Sequence, residues 1–405
     1  MPTDPPRSGA LLVDLARHSG GAETRVVDTA RGLAQAGVPV TVVCLTGSPL
    51  ADALAGAGVP ASGVARSKWD PRLVPALRKL LLSRPNWVVD AHNAQSQLAV
   101  HLAGGPHRPG KRRVATVHSE YDLSERRLLG VSVHEMVLRR SIRAGWGLVA
   151  VTTSVRSDLE RLGAGRSDVH VVWSGIAPRR SGSMVQRRAL RRDIGVGDGD
   201  FVVLSVGRLV TVKNVGMAVR AVALLHERLP RARLVVVGDG PERQALEQLA
   251  RQHAGPPDLV RFLGRRDDVA ELLASSDALT ITSLTEGLPY VLLEAAAAGT
   301  PVVSTSVGAI PEAFGPSAAV LLPPRVETQP DGASILAGEL LTLALRPELG
   351  QGVAARAAAV QHRRFHVESM IADTITAYGL APLRARLTAS EARHEGTSEG
   401  VVSSP

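Results

Sequence analysis

The sequence predicts an α/β protein built from two doubly wound parallel sheets that face each other across a crevice. Three observations predict it. The chain has 405 residues, too many for one ordinary hydrophobic core and enough for two domains of common size. Short aliphatic runs alternate with helix-length segments along most of its length, and the runs are continuous rather than alternating, as in strands covered on both faces. The alternation also breaks once, in an Arg-, Ser-, Gly- and Asp-rich stretch at 175–200, and then starts again.

In the first half, strands are predicted at 10–15, 40–45, 87–91, 113–118, 148–152 and 169–172. Helices are predicted between them at 22–36, 71–82, 94–102 and 125–143. After the break, F-V-V-L-S-V opens a second series at Phe201, with strands at 233–237, 260–263, 278–282, 302–305 and 319–322. The chain thus divides into a Rossmann-like domain over 1–174, a linker and hinge over 175–200 and a second Rossmann-like domain over 201–366. A helical segment at 367–381 follows. Residues 382–405 form a polar tail without periodicity, expected to be disordered. Within the linker, Arg187, Arg188, Arg191 and Arg192 read as one solvated helix face. Cys44, in T-V-V-C-L, reads as a packed thiol in a strand, and a single cysteine supports no intrachain disulfide framework.

Hydrophobic residues make up 44% and charged residues 21%, a globular composition. Aromatics at 3% argue against a single-strand nucleic-acid binder, which needs stacking platforms. A net charge of +9 favours anionic partners such as nucleotides or an anionic membrane surface. No apolar run approaches the roughly 20 residues of a membrane helix, and the N-terminal apolar stretch is short for a signal peptide, so a cytoplasmic location is expected.

Ligands of parallel α/β sheets bind beyond the carboxyl ends of the strands. In the second half that rule selects three loops. S-V-G-R-L-V-T-V-K-N carries Gly207, Arg208 and Lys213; V-V-V-G-D-G-P-E carries Gly238 and Asp239; T-E-G-L-P-Y-V-L-L-E carries Glu286, Gly287, Leu288, Pro289 and Glu294. Pro289 suits the first turn of a helix that would run through Ala298 and stop at Gly299. Such a helix start presents free N–H groups that suit a phosphate, and Gly287 would let a ligand approach the backbone. Glu286 is placed to accept hydrogen bonds from sugar hydroxyls. Glu294 fits either a pair of ribose hydroxyls or a buried salt bridge. Arg208 and Lys213, a planar fork and a mobile point charge, suit a departing diphosphate.

In the first half, Gly20 and Gly21 open a helix at a strand exit, a turn that permits close backbone approach. H-N-A-Q-S-Q at 92–97 and T-V-H-S-E at 116–120 also lie at strand ends. His92 reads as a packed or helix-start residue, whereas His118 is placed at the crevice rim. D-G-D at 198–200 precedes a strand and reads as a turn, and no His/Cys cluster suggests zinc.

Taken in order, G-G-A-E, G-R-L-V-T-V-K-N, V-V-V-G-D-G-P-E, F-L-G-R-R-D-D-V and E-G-L-P-Y-V-L-L-E-A-A-A-A-G-T-P-V-V-S-T-S-V-G-A-I-P-E resemble the family 4 glycosyltransferases of GT-B fold. The resemblance covers roughly residues 10–378. It implies a retaining transfer of a sugar from a nucleoside-diphosphate donor, UDP favoured, to a hydroxyl acceptor held by the first domain. Arg208 and Lys213 would bind the donor diphosphate, with Gly20 and Gly21 approaching it from the other domain. Glu286 would contact the transferred sugar, Glu294 the ribose, and His118 would line the reacting sugar near the acceptor. No metal or other cofactor is implied, and no carboxylate nucleophile. The last helix would cross back to the first domain. One departure is V-V-W-S-G-I-A, where Ser174 and Ala177 stand in place of the family's frequent Asn and Asp.

The acceptor implied is a glycan, lipid-linked or small-molecule hydroxyl compound, with an envelope or exopolysaccharide intermediate first and a natural-product aglycone second. No nucleic-acid partner is implied. Two other activities stay open: a nucleotide-sugar 2-epimerase on the same fold, and a binding protein with a dead site. The 125–143 segment, apolar with Arg at both ends, reads as a core-packed helix, with peripheral contact to an anionic membrane as the alternative.

Overall fold

The computed structural model describes residues 8–17, 20–104, 113–118, 127–128, 131–177, 183–253 and 256–380. The tail expected at 382–405 lies outside them. Two parallel sheets dominate. The first has seven strands in the order β3(Ala61–Ala65)-β2(Val40–Leu45)-β1(Ala10–Val13)-β4(Val88–Ala91)-β5(Arg113–Val117)-β8(Gly147–Ala150)-β9(Val169–Val171). The second has six, in the order β12(Val260–Gly264)-β11(Ala232–Val237)-β10(Phe201–Val206)-β13(Ala278–Ile281)-β14(Val302–Ser304)-β15(Val320–Leu321). Their central strands are buried on both faces, which is why β2 reads V-T-V-V-C-L and β11 reads A-R-L-V-V-V without polar alternation. Cys44 packs inside β2, and burial pushes its thiol up to about 11, so it is a core side chain rather than a nucleophile.

Each sheet reverses its winding once, at β1/β4 and at β10/β13. Those are the two places where successive loops splay apart and leave a crevice at the strands' carboxyl ends. The loops that carry Asp14, His92 and His118 leave β1, β4 and β5; those that carry Arg208 and Glu286 leave β10 and β13.

The structure departs from expectation in four places. The edge strand β3, A-S-G-V-A, is not among the strands predicted, because its small residues make no aliphatic run. Residues predicted as one helix over 125–143 divide: β6(Arg127–Leu128) pairs antiparallel with β7(Val131–Ser132), and only Val133–Arg143 is helical. β-branched Val131 and Ser132, just ahead of that helix, are weak helix formers. Positions 125, 126, 129 and 130 lie outside the described residues. The stretch at 175–200 is not irregular throughout, because Met184–Asp193 is a helix closed by a Ser183/Gln186 capping box. Its arginine cluster is a solvated face only in part: Arg188 and Arg192 are exposed, whereas Arg187 and Arg191 turn inward. Arg191 is buried, its guanidinium donating to the carbonyls of Ser275, Gly197, Asp198 and Asp200 and pairing with Asp277 at 2.6 Å; Arg187 pairs with the same carboxylate at 2.7 Å. The helix shows no clean apolar period because its one buried position is held by Arg191, paired with Asp277.

The chain passes between the domains twice. Ile176 bridges His366, with its N–H bonded to the Phe365 carbonyl, so the outgoing and returning segments lie side by side. Gly175 is needed there, since a Cβ would fall 2.2 Å from the His366 carbonyl oxygen. After Pro347–Arg364, the helix Val367–Ala377 packs on Gly21–Gln35 and contributes Met370, Ile371, Ile375 and Tyr378 to the core of the first domain. Ser174, at the departure from the family pattern, accepts a 2.7 Å hydrogen bond from Arg25, which also donates to the Val172 carbonyl.

Candidate active site

The crevice is built where two helix starts meet. Gly21 opens the helix Gly21–Gln35, and a Cβ on it would lie 3.4 Å from the Tyr290 Cβ, the first residue of the helix Tyr290–Ala298. Pro289 caps that second helix and Gly299 ends it in the left-handed region at φ 73°, as the Pro-to-Gly spacing predicts. Each helix start carries unpaired N–H groups and the positive end of a dipole, so two abutting starts make a pocket that favours an anion.

Cationic side chains surround it. Arg208, exposed, follows β10, and Lys213 ends the next turn, with its Nζ donating to Glu286 Oε1 at 2.5 Å. Ser283 Oγ donates to the same carboxylate oxygen at 2.6 Å, and Thr282 Oγ1 donates to the Lys213 carbonyl at 3.1 Å. A small cleft between Gly207, Lys213 and Glu286 lies over these bonds. Lys213 and Glu286 come from different strand exits, 73 positions apart, and the sheet places them in contact.

Glycines let the loops approach this closely. Gly238, at φ 134°, lies against the Gly207 backbone, where a Cβ would stand 1.9 Å from the Gly207 carbonyl oxygen. Gly308, at φ 56°, does the same beneath Glu286, with 1.8 Å to the Glu286 carbonyl oxygen, while the Ala309 N–H bonds the Gly287 carbonyl. Gly238 is thus a loop-packing residue. Asp239 accepts from the Gly240 N–H at 2.8 Å and so closes its own turn. The Leu288 side chain packs into the apolar core. Glu294 is half-buried one turn below Tyr290, and its charge helps burial push the Tyr290 hydroxyl far up.

From the first domain, Glu23 faces Arg208 and Asp14. Burial, reinforced by Asp14 and opposed by Arg208, pushes its carboxyl up to about 7. Asp14 is buried at the end of β1 and accepts from Asn93 Nδ2 and the Ala16 N–H; burial raises its pKa. His118, at the end of β5, touches His92, Nε2 to Nδ1 at 3.1 Å. Burial, with the neighbouring His92 and Arg25, holds His118 well below the usual imidazole range, so it is neutral near pH 7.

Read from sequence, His92 was a packed residue, and it is nearly inaccessible; it nevertheless stands in contact with His118. Glu23, Asp14, Asn93, Ser283 and Gly308 had no assigned role. Asp14, Asn93, Ser283 and Gly308 lie within four residues of the ends of β1, β4, β13 and β14, and Glu23 lies in the first turn of the helix Gly21–Gln35, so position at strand exits and helix starts would have found them. Among the described residues, no group of three His, Cys, Asp or Glu side chains could hold a metal ion, and no helix is long and apolar enough to cross a membrane.

Comparison with known proteins gives a consistent pattern. Residues 19–180 match the family profile described as Glycosyltransferase Family 4, and residues 186–331 match the one described as Glycosyl transferases group 1. The chain is 34% identical to N-acetyl-alpha-D-glucosaminyl L-malate synthase of Bacillus anthracis over 44% of its own length and 45% of that protein's. It is 32% identical to D-inositol 3-phosphate glycosyltransferase of Salinispora tropica over 60% of its length and 52% of that protein's. The chain therefore spans about half the length of the curated relatives it matches. Among solved structures, Anabaena HepE in complex with UDP-glucose superposes with a TM-score of 0.76 at 20% identity, covering 94% of this chain and 99% of that one. Sucrose-phosphate synthase of Thermosynechococcus elongatus superposes at 0.73 and 18% identity, covering 95% and 100%.

Proposed function

The chain belongs to the family 4 glycosyltransferases of GT-B fold, its two halves matching the two family profiles in order, and from that premise we propose that it is a retaining, nucleotide-sugar-dependent glycosyltransferase. The observation that carries the reading is the anion pocket: two helix starts in contact, with Arg208 and Lys213 beside them and Glu286 held by Lys213 and Ser283. In the proposed reaction the bond from the sugar C1 to the donor diphosphate breaks as charge builds on the leaving oxygen. Arg208 and Lys213 strengthen their hold as that charge grows, which lowers the barrier rather than merely tightening binding. Glu286 accepts from hydroxyls of the transferred sugar. The acceptor hydroxyl attacks the same face from which the diphosphate leaves and passes its proton to the departing diphosphate oxygen, so configuration is retained and no carboxylate nucleophile is needed.

The donor is read as a UDP-sugar, with no metal or other cofactor required, and the acceptor as an envelope or exopolysaccharide intermediate. The names of the malate synthase and the inositol 3-phosphate glycosyltransferase favour a second reading, a small hydroxyl acid or phosphate acceptor. The protein is read as cytoplasmic, with peripheral contact to the inner face of the membrane as the alternative.

Thermal melting against UDP, GDP, ADP and dTDP, each with and without magnesium, tests the donor pocket. UDP at 100 times its Kd should add about 2.7 kcal/mol of stability, with or without the metal. A well-folded sample that responds to none of the four would sink the reading. Product analysis of a responding donor then separates transfer from 2-epimerisation, which changes the sugar without needing an acceptor.

Glu294 has its own test. If it holds the ribose hydroxyls, Glu294→Gln should weaken UDP binding roughly tenfold with little change in Tm. A large fall in Tm at unchanged UDP affinity would instead assign it to a structural ion pair.

A further inference from the structure

The polar groups beneath His118 are more than the proposed reaction uses. Asp90, on β4, is buried; its Oδ2 accepts from Thr116 Oγ1 at 2.7 Å and from the Tyr378 hydroxyl at 2.6 Å. Oδ2 also lies 3.2 Å from Nε2 of His92, whose ring is equally buried; the contact is at ion-pair distance, and Nε2 makes no hydrogen bond of good geometry among the described residues. The far nitrogen of that ring, Nδ1, meets His118 Nε2 at 3.1 Å. His118 in turn is half-buried just past the carboxyl end of β5. Four side chains from β4, β5, the turn after β4 and the returning C-terminal helix therefore form one line that ends at the crevice.

From this geometry we infer that Asp90, His92 and Tyr378 are positioning residues that fix the tautomer of His118, so that it presents a bare Nδ1 to a hydroxyl of the sugar or the acceptor. The inference rests on the glycosyltransferase reading for the identity of that hydroxyl and on the geometry for the rest. An ionised carboxylate can only accept, so the His92 nitrogen beside it, Nε2, carries the proton. In a neutral ring Nδ1 is then the acceptor, and the proton between the two histidines belongs to His118 Nε2. His118 Nδ1 is left as a lone pair. Burial alone would push the Asp90 carboxyl up, but His92, Tyr378 and Thr116 hold it down to about 2, so it stays ionised throughout the neutral range. Arg25, buried nearby and bonded to Ser174, opposes a second positive charge on His118.

A consequence concerns the returning helix. Tyr378 lies 288 positions from Asp90 and reaches it only because Val367–Ala377 packs on the first domain. The far end of the chain thereby helps aim the group at the crevice rim.

The test reads the tautomers directly. In full-length protein labelled with 15N-histidine, long-range 1H–15N spectra assign the protonated nitrogen of each ring, with His92→Gln and His118→Gln identifying the two signals among twelve histidines. The expected wild-type result is Nε2–H on both rings. Asp90→Asn, whose amide can donate to His92 Nε2, should move the His118 proton to Nδ1. It should also slow UDP release from UDP-glucose by roughly 10- to 100-fold at unchanged UDP affinity. A wild-type His118 protonated on Nδ1 overturns the inference, and that measurement needs no variant to fold. So does Asp90→Asn with the His118 tautomer unmoved. If UDP neither binds nor is released by wild type, the proposed function fails while the spectrum still judges the chain of side chains on its own.

Discussion

Lys213→Ala is expected to lower turnover by roughly 10²- to 10³-fold, the loss typical of removing one charge-stabilising donor from a transition state. The reason is where the ammonium sits. It ends the turn after β10, beside Gly207 and within 2.5 Å of Glu286, so it reaches both the anion pocket and the carboxylate proposed to hold the sugar. Its removal therefore withdraws positive charge from the leaving diphosphate and takes away one of the two donors to Glu286. The fold depends on it much less. The side chain is 26% exposed, and a pair of that exposure contributes about 1 kcal/mol or less. Ser283 still holds Glu286 in the variant. Initial rates with saturating donor, set beside a melting curve, separate the two effects. Turnover within a few-fold of wild type would remove Lys213 from the chemistry.

The largest stability effect should come from a residue far from the crevice. Arg191→Ala is expected to cost about 3–5 kcal/mol, as when one partner of a buried ion pair is deleted. Its guanidinium satisfies carbonyls of Ser275, Gly197, Asp198 and Asp200 and pairs with Asp277, whose carboxylate also accepts from the Val202 N–H at the start of β10. Deleting it strands the buried Ser275 carbonyl, releases the part-buried carbonyls of Gly197, Asp198 and Asp200, and loosens the join between β10 and β13. Arg192, next in sequence but exposed, is the control, and Arg192→Ala should change stability by less than about 0.5 kcal/mol. Denaturant titration of both variants decides the matter, and equal midpoints would contradict the buried-clamp account. Donor affinity of the folded fraction should survive, because the clamp lies at the opposite end of β13 from Glu286.

Much of this molecule is legible from local rules. Continuous aliphatic runs marked strands such as β2 and β11, because a strand covered on both faces has no polar side to show. Pro289 and Gly299 marked the ends of the helix beneath Glu286 and Glu294, because φ preference acts through a single residue. The strand-exit rule selected Arg208, Lys213 and Glu286 without any knowledge of their contacts. What stayed hidden was of another kind. Arg191 looked solvated because burial of a charge depends on a partner, Asp277, that lies 86 positions away. His92 looked like packing alone, since nothing local states that His118 comes to rest against it. Gly308 was one glycine among 39 until the carbonyl of Glu286 closed over it.

Local patterns in the sequence determined the strands of both sheets other than the edge strand β3, the break between them, the helix starts with their glycines, and which charged residues stand at strand ends. All of these follow from backbone preference and hydrophobic period, which act over a few residues. Only the tertiary structure decided that Gly21 abuts Tyr290, that Lys213 binds Glu286, and that Tyr378 returns to Asp90. Those contacts depend on the winding reversal of each sheet and on the second crossing of the hinge, and a one-dimensional pattern carries no record of which distant loops such a reversal brings together.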